Sequence, residues 1–534
     1  MISNLKKLTA NRKFKWIVFI VVFLCYVPYI VSLFSKIPID SDYSNLVLEA
    51  GDITGGNFFL SGWNQTGISF LSTDLLFYII GVAVAGVSTW AYVIASVLMF
   101  VVWAACAQFV IKAGQDKYTI FDLLLFLAIA GFPCLFNVNM LRAHTAVMIW
   151  GVLALIFINK AVHDEHNKRK GLYTILAFLL LFMGCFGDQI IYVFFIAPIV
   201  IYYLRDLLSN QIKTAKKDIL IIGICVAAVV FAFLADKLYY MVGDANKNAF
   251  LDSKAFEPFD NLYAKIILYI KSIFYLNDMA FNGQTLFSLS TPLYLLRTIV
   301  VFYAFYVVIK NIRLFIRNKE VGLIDFVLSA GFVLMSLVYI LTNISVDENS
   351  SRYFGTLPGI FAILIIRHLN RTGLWERARL INGKVKASWI AACVAVVMIV
   401  SSFVFPLSVH PAETEQERLG KYLKSQGLSH GYATFWNASA VTVTTGQDVN
   451  VRSVWMPGDA YEPYIWFCKD EWYEEESNFV VVRNPEHNEN FRMTEESVVS
   501  YWGQYDKKFT FENYVILVFD HDISEEMCLT QSGS

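Results

Sequence analysis

Two aspartates two positions apart, Asp40 and Asp42, stand a few residues beyond a long apolar run, Phe14–Phe34. A carboxylate pair at a membrane surface suits two kinds of chemistry. One carboxylate can accept the proton of a sugar hydroxyl as that oxygen attacks an anomeric carbon. Two close carboxylates can also hold a divalent cation, Mg or Mn, that shields a phosphate leaving group. The plain alternative is a solvated loop in which an Asp caps a helix. Asn45, Glu49 and Asp52 follow at helical spacing, with Leu46, Val47, Leu48 and Ile53 as apolar neighbours, and Gly55-Gly56-Asn57 stops that helix. Glu49 is therefore a further acidic candidate for the site.

Other chemistry-bearing residues lie far off in sequence. Arg142 and His144 occur together in Asn137–Thr145. Arg142 reads either as an anchor at the membrane interface or as a phosphate ligand, and His144 as a structural hydrogen-bonder or its partner in that task. Asp188 sits between two apolar runs with almost no loop, where a carboxylate is costly unless it is used or paired. It is the candidate for a second acidic or metal-binding group. Arg352, in Asp347–Pro358, can grip phosphate bidentately and stay charged in a partly apolar setting, or can snorkel to the interface. Cys468 and Cys528 lie in the polar C-terminal stretch, and a disulfide between them would suit an oxidising compartment. The segment Gly431–Ala438 with Trp455, Trp466 and Trp472 reads either as a sugar-stacking surface or as the core of a small domain.

These residues need a scaffold, and composition names it. The 534 residues are 57% hydrophobic and 16% charged, with mean hydropathy +0.52. Soluble domains carry about 25% charged residues. The deficit is concentrated in long apolar runs, which read as membrane spans. The net charge of -1 offers no field for nucleic acid. Lys and Arg cluster in alternate loops, from the N-terminus to the group Arg367–Lys386. By the positive-inside rule this gives about eleven spans, a cytoplasmic N-terminus and an extracytoplasmic C-terminus. Leu75–Val87 reads as a helix lying at the interface and Trp90–Ile111 as the second span. Leu262–Leu276 reads as an outer amphipathic helix. The expected division is a bundle over 1–407, with an outer loop at 35–89, and an extracytoplasmic α/β domain over 408–534. In that domain Glu413–Gln426 reads as a helix, and Ala440–Thr444, Phe479–Val482 and Tyr514–Phe519 read as strands.

Asp40-Ser41-Asp42 followed by Glu49–Trp63, with the apolar Leu75–Val87 segment after it, resembles the first outer loop of the GT-C superfamily of membrane glycosyltransferases. That superfamily includes protein O-mannosyltransferases, oligosaccharyltransferases and lipid A aminoarabinose transferases. The resemblance implies a GT-C-like polytopic bundle that moves a sugar, hexosyl or pentosyl, from a polyprenyl-phosphate donor. The acceptor would be a cell-envelope glycan, lipid or protein on the extracytoplasmic face of the cell membrane. It implies that an acidic residue after the first helix is the general base. Asp42 is preferred over Asp40, which sits beside Pro38 at the membrane end. It further implies that Arg352, in an Arg-Tyr pair leading an apolar run, grips the donor phosphate. The rival reading is a transporter or flippase of lipid-linked saccharides. It calls for charges near the membrane midplane and internal pseudo-symmetry, whereas Asp122 and Asp325, the readiest intramembrane charges, fall near cytoplasmic helix ends, the other charges gather at the outer surface, and no inverted repeat is evident.

Overall fold

The computed structural model describes residues 26–115, 118–164, 166–209, 215–247, 255–279, 287–288, 290–373, 379–380, 385–407, 413–483 and 493–527. Within them, six helices are long and apolar enough to cross a membrane: Thr89–Lys112, Thr145–His163, Asn167–Gly187, Lys216–Gly243, Thr291–Ile316 and Leu323–Leu341. Shorter apolar helices stand at Asp74–Ala85, Ile120–Gly131 and Ile390–Val404. The helix over 26–34 ends the first apolar run, and Leu357–Thr372 is a buried helix entered through a proline in its first turn, where the missing N–H costs nothing.

The first loop is helical over Ser41–Thr54. Asp40 is its N-cap, its Oδ1 accepting from the Tyr43 N–H at 3.2 Å, and Gly55 closes it. The apolar segment that follows is the helix Asp74–Ala85. It packs tightly on the start of Thr89–Lys112 because position 81 is glycine: a Cβ there would fall 2.2 Å from the Ala91 carbonyl oxygen. The amphipathic reading of Leu262–Leu276 corresponds to a helix with those bounds.

The first loop also carries β1 (Trp63–Gln65), which pairs in parallel with β2 (Asn246–Lys247). A short ribbon, β3 (Arg379–Leu380) with β4 (Val385–Lys386), precedes the last apolar helix, Ala387–Leu407. The C-terminal region holds β5 (His430–Ala433), β6 (Asn450–Trp455), β7 (Glu462–Pro463), β8 (Cys468–Lys469), β9 (Phe479–Arg483), β10 (Lys507–Phe511) and β11 (Tyr514–Val518). Six of these form one sheet in the order β10-β11-β9-β5-β6-β7. At its centre β5 runs parallel to both β6 and β9. The leading helix is Glu415–Ser425.

One expected strand is corrected. Residues Ala440–Thr444 belong to a short helix, Ser439–Thr444. Because β5 and β6 are parallel, the chain between them must cross over, and a helix does this most compactly. The Thr444 hydroxyl bonds back into the turn, Oγ1 to the Ala440 carbonyl at 2.8 Å, and Thr442 Oγ1 donates to the Val451 carbonyl of β6 at 3.2 Å, so their β-branched preference is overridden.

The C-terminal sheet is fastened to the first loop. β8 pairs antiparallel with β1, Trp63 opposite Lys469 and Asn64 opposite Cys468. Lys469 Nζ is 3.0 Å from Asp52 Oδ2, and Asn64 Nδ2 donates to Asp470 Oδ1 at 2.6 Å. Ser41 Oγ donates to the Phe435 carbonyl, just beyond the carboxyl end of β5, at 2.5 Å. Cys468 is buried; its proposed partner Cys528 lies outside the described residues.

Candidate active site

The two first-loop aspartates, alike in sequence, differ in the fold. Asp40 is committed to structure. While its Oδ1 caps the helix, its Oδ2 is 3.2 Å from Arg142 NH2. The donors of Arg142 go to fixed oxygens: Nε to Asn139 O at 2.9 Å, NH1 to Pro38 O at 2.8 Å and to the Tyr92 hydroxyl at 2.7 Å. Its guanidinium also stacks 4.0 Å from the Tyr43 ring centroid. Arg142 is thus buried and ties the first-loop helix to the bundle through four of its five donors.

Asp42 lies two residues on and on another side of the same helix. Its Oδ2 is 3.5 Å from Arg352 NH1, too long for a tight charge-assisted bond. Its side chain is 25% exposed and that of Arg352 34%. Burial of the carboxyl pushes Asp42 up to about 6, helped by the charge of Asp40; the charges of Arg352 and Arg142 and a hydrogen bond from Trp466 pull it back down. At neutral pH it is a carboxylate of raised basicity, which is what a general base requires. Trp466 belongs to the C-terminal region, so that region reaches Asp42.

Arg352 is placed by a 3-10 turn, Glu348–Phe354, that leads into Leu357–Thr372. Asp347 caps the turn, with Ser350 returning the bond. Ser351 Oγ donates to Ser272 Oγ at 2.8 Å, so the amphipathic helix Leu262–Leu276 buttresses the turn from behind. Gly355 allows it to seat, since a Cβ there would lie 2.5 Å from the Met140 carbonyl oxygen. The Arg352 Nε is buried with no hydrogen-bond partner among the described residues. An arginine with an idle donor and a loose carboxylate neighbour can still take an oxyanion.

His144 and Asp188 form a second buried pair, Nδ1 to Oδ2 at 2.6 Å. His144 adopts a left-handed φ of 59°, which an L-residue other than Gly adopts only at a cost of about 1–2 kcal/mol. It is held there by Asp74, a residue the sequence reading missed. Asp74 Oδ2 accepts from the His144 N–H at 2.7 Å and Oδ1 from the Ala146 N–H at 2.9 Å, satisfying the orphan donors that open the helix Thr145–His163. The sequence signal was an Asp leading an apolar segment, Thr73-Asp74-Leu75. The His144 ring lies 5.0 Å from that of Tyr353, beside Arg352, so the pair stands behind the phosphate candidate. Glu49 is buried further along the first-loop helix, its Oε1 accepting from Gln65 Nε2 at 3.3 Å.

Among the described residues, no three His, Cys, Asp or Glu side chains gather as a cation site would need. Asp40 and Asp42 each face a guanidinium instead.

No family model and no curated protein sequence matches the chain. Solved structures do. The apo crystal structure of ArnT from Cupriavidus metallidurans superposes with a TM-score of 0.53 at 9% identity, over 97% of this chain and 99% of that one. The same protein bound to undecaprenyl phosphate gives a TM-score of 0.51 at 8% identity, over 94% and 98%. The chain therefore shares the fold of ArnT along nearly its whole length, the C-terminal region included.

Proposed function

We propose that the protein is a membrane glycosyltransferase that takes its sugar from a polyprenyl-phosphate donor on the extracytoplasmic side. The observation that carries this reading is the Asp42–Arg352 pair, 3.5 Å apart and partly open, at the end of a GT-C bundle beneath the C-terminal sheet. A donor phosphate binds at Arg352, whose Nε has no partner among the described residues. An acceptor hydroxyl lies against Asp42. As its oxygen attacks the anomeric carbon, the proton passes to the Asp42 carboxylate. The bond from that carbon to the phosphate oxygen breaks, and polyprenyl phosphate leaves with its second negative charge beside the guanidinium. In-line displacement inverts the anomeric centre. Because the carboxylates are compensated by arginines, no step is given to a divalent cation. Arg142 and Asp40 fix the helix that aims Asp42, and His144 with Asp188 supports the Tyr353–Arg352 turn.

The extracytoplasmic side follows from the alternation of Lys and Arg between loops. The supporting comparison is the ArnT structure bound to undecaprenyl phosphate. The test uses the full chain in nanodiscs. Undecaprenyl phosphate should raise its melting temperature, and Arg352→Ala should abolish that rise. Asp42→Asn should bind the lipid normally and transfer nothing from polyprenyl-phosphate sugars. Full transfer by Asp42→Asn would sink the assignment of the base; failure of the native chain to bind the lipid would sink the reading itself.

A further inference from the structure

The first-loop helix carries more polar chemistry than the proposed reaction uses. At 3.6 residues per turn, Ser41, Asp42, Asn45, Glu49 and Asp52 fall within one sector of about 100°. Four of the five reach partners on other elements. Ser41 bonds the Phe435 carbonyl, Asp42 faces Arg352 and Trp466, Glu49 bonds Gln65, and Asp52 meets Lys469 and the Trp63 indole. Asn45 lies between them in angle. It is fully buried, and among the described residues neither its amide nitrogen nor its amide oxygen has a hydrogen-bond partner. Glu49 Oε2, one turn further on, is also buried and unpartnered. Unpaired buried amides are rare because each leaves its desolvation uncompensated. An amide and a carboxyl oxygen left unpaired on one stripe, leading away from the base, mark a place where another molecule's polar groups belong.

We infer that Asn45 and Glu49 form a saccharide subsite, in which an amide and a carboxyl hydrogen-bond the hydroxyls of a sugar ring seated beside Asp42. The inference rests on the glycosyltransferase reading and extends it to a second sugar-recognition position. An amide offers a donor and an acceptor together, the pattern of a hydroxyl. Burial pushes Glu49 up to about 8, so at neutral pH its carboxyl is protonated and Oε2 can donate. Gln65 is held in turn by the Tyr240 hydroxyl at 3.1 Å, which fixes the far wall. A site built to pair hydroxyls rejects analogues that lack them, so the subsite selects among sugars.

The ring can belong to a glycan acceptor or to the donor's sugar, and binding measurements separate the two. Full-length native chain, Asn45→Leu, Glu49→Leu and Glu49→Gln are placed in nanodiscs. The probes are undecaprenyl phosphate, undecaprenyl-phosphoryl glucose, undecaprenyl-phosphoryl arabinose, and free methyl glucoside, maltose and cellobiose. Asn45→Leu and Glu49→Leu should leave undecaprenyl phosphate binding unchanged and weaken a sugar-bearing probe about tenfold. Glu49→Gln, which keeps a donor, should weaken it less than about threefold. Loss confined to free saccharides assigns the ring to the acceptor; loss confined to the lipid-linked sugars assigns it to the donor. Unchanged sugar binding in Asn45→Leu, with an unchanged or raised melting temperature, would mean an internal water site and overturn the inference. So would a native chain that binds undecaprenyl phosphate but no sugar more tightly than the bare lipid. A native chain that fails to bind undecaprenyl phosphate strikes the glycosyltransferase reading instead.

Discussion

One stretch of chain carries two arginine–aspartate pairs that behave oppositely. Arg352 precedes the helix Leu357–Thr372 and faces Asp42; Arg367 lies near the end of that helix and faces Asp325. Fifteen residues of mostly helical chain place them roughly 20 Å apart. At Arg367, Nε meets Asp325 Oδ1 at 2.9 Å and NH2 meets Oδ2 at 3.3 Å, while NH1 donates to the carbonyls of Val110 and Ala113 at 2.8 and 2.6 Å. Arg371 adds a further contact to Asp325 at 2.7 Å. The Arg367 and Asp325 side chains are 6% and 3% exposed. Here every nitrogen is matched, and three helices are clasped. At Arg352 the contact is longer, a donor is idle, and both side chains are partly open. Residue type does not distinguish a clasp from a site; the degree to which the hydrogen-bonding capacity is already filled does.

The comparison breaks most sharply in kinetics. Asp42→Asn should lower transfer by about 10²–10⁴-fold, the range for loss of a positioned general base, with the melting temperature unchanged. Arg367→Ala should do the reverse. Removing one partner of a buried pair costs about 3–5 kcal/mol, so the chain should unfold at lower temperature while the folded fraction keeps its specific activity. Normal stability in Arg367→Ala, or a melting-point collapse in Asp42→Asn, would reverse the roles given to the two ends.

A gentler change sharpens the same contrast. Arg352→Lys keeps the charge but loses the forked donor geometry that matches phosphate. Affinity for undecaprenyl phosphate should fall about tenfold, measured by lipid titration in nanodiscs. Equal affinity would mean that Arg352 acts there only as a point charge.

Periodicity made much of this fold legible in the sequence. The apolar and polar spacing from Leu46 to Ile53, closed by Gly55, marked the helix Ser41–Thr54, and the alternation in Leu262–Leu276 marked a helix with those bounds. The rule that a carboxylate near the bilayer must be used or paired fitted Asp188, which His144 holds. What spacing could not supply was long-range partnership. Asp325 was visible as a charge near a helix end, but its bond to Arg367 depends on how two helices cross. Sequence favoured Asp42 over Asp40 only by its distance from Pro38; helix rotation is what separates them, sending one to Arg142 and the other to Arg352. The Val441-Thr442-Val443-Thr444 run read as a strand because local preference favours it, and only the parallel pairing of β5 with β6 makes it a crossover helix. The share of the C-terminal region in the site, through Trp466, crosses more than 400 residues of chain and left no local trace.

That contribution gives the smallest and most specific effect. Asp42 must be ionised to accept a proton, so transfer should fall as the pH drops through about 6. The Trp466 hydrogen bond to Asp42 favours the carboxylate and lowers its pKa. Trp466→Phe removes the N–H while keeping an aromatic ring, so Asp42 should hold its proton to higher pH. The acid limb of the rate profile should then move upward by about one unit, with rates at pH 8 little changed, since a hydrogen bond to a charged group contributes about 1.5–3 kcal/mol before water screens the partly open Asp42. The same substitution should leave the thermal stability set by Arg367 and Asp325 untouched. A uniform loss of rate at all pH values would assign Trp466 to substrate stacking. A shifted limb alone would mean that the C-terminal sheet, through one indole, tunes the base of a bundle to which it is otherwise only fastened.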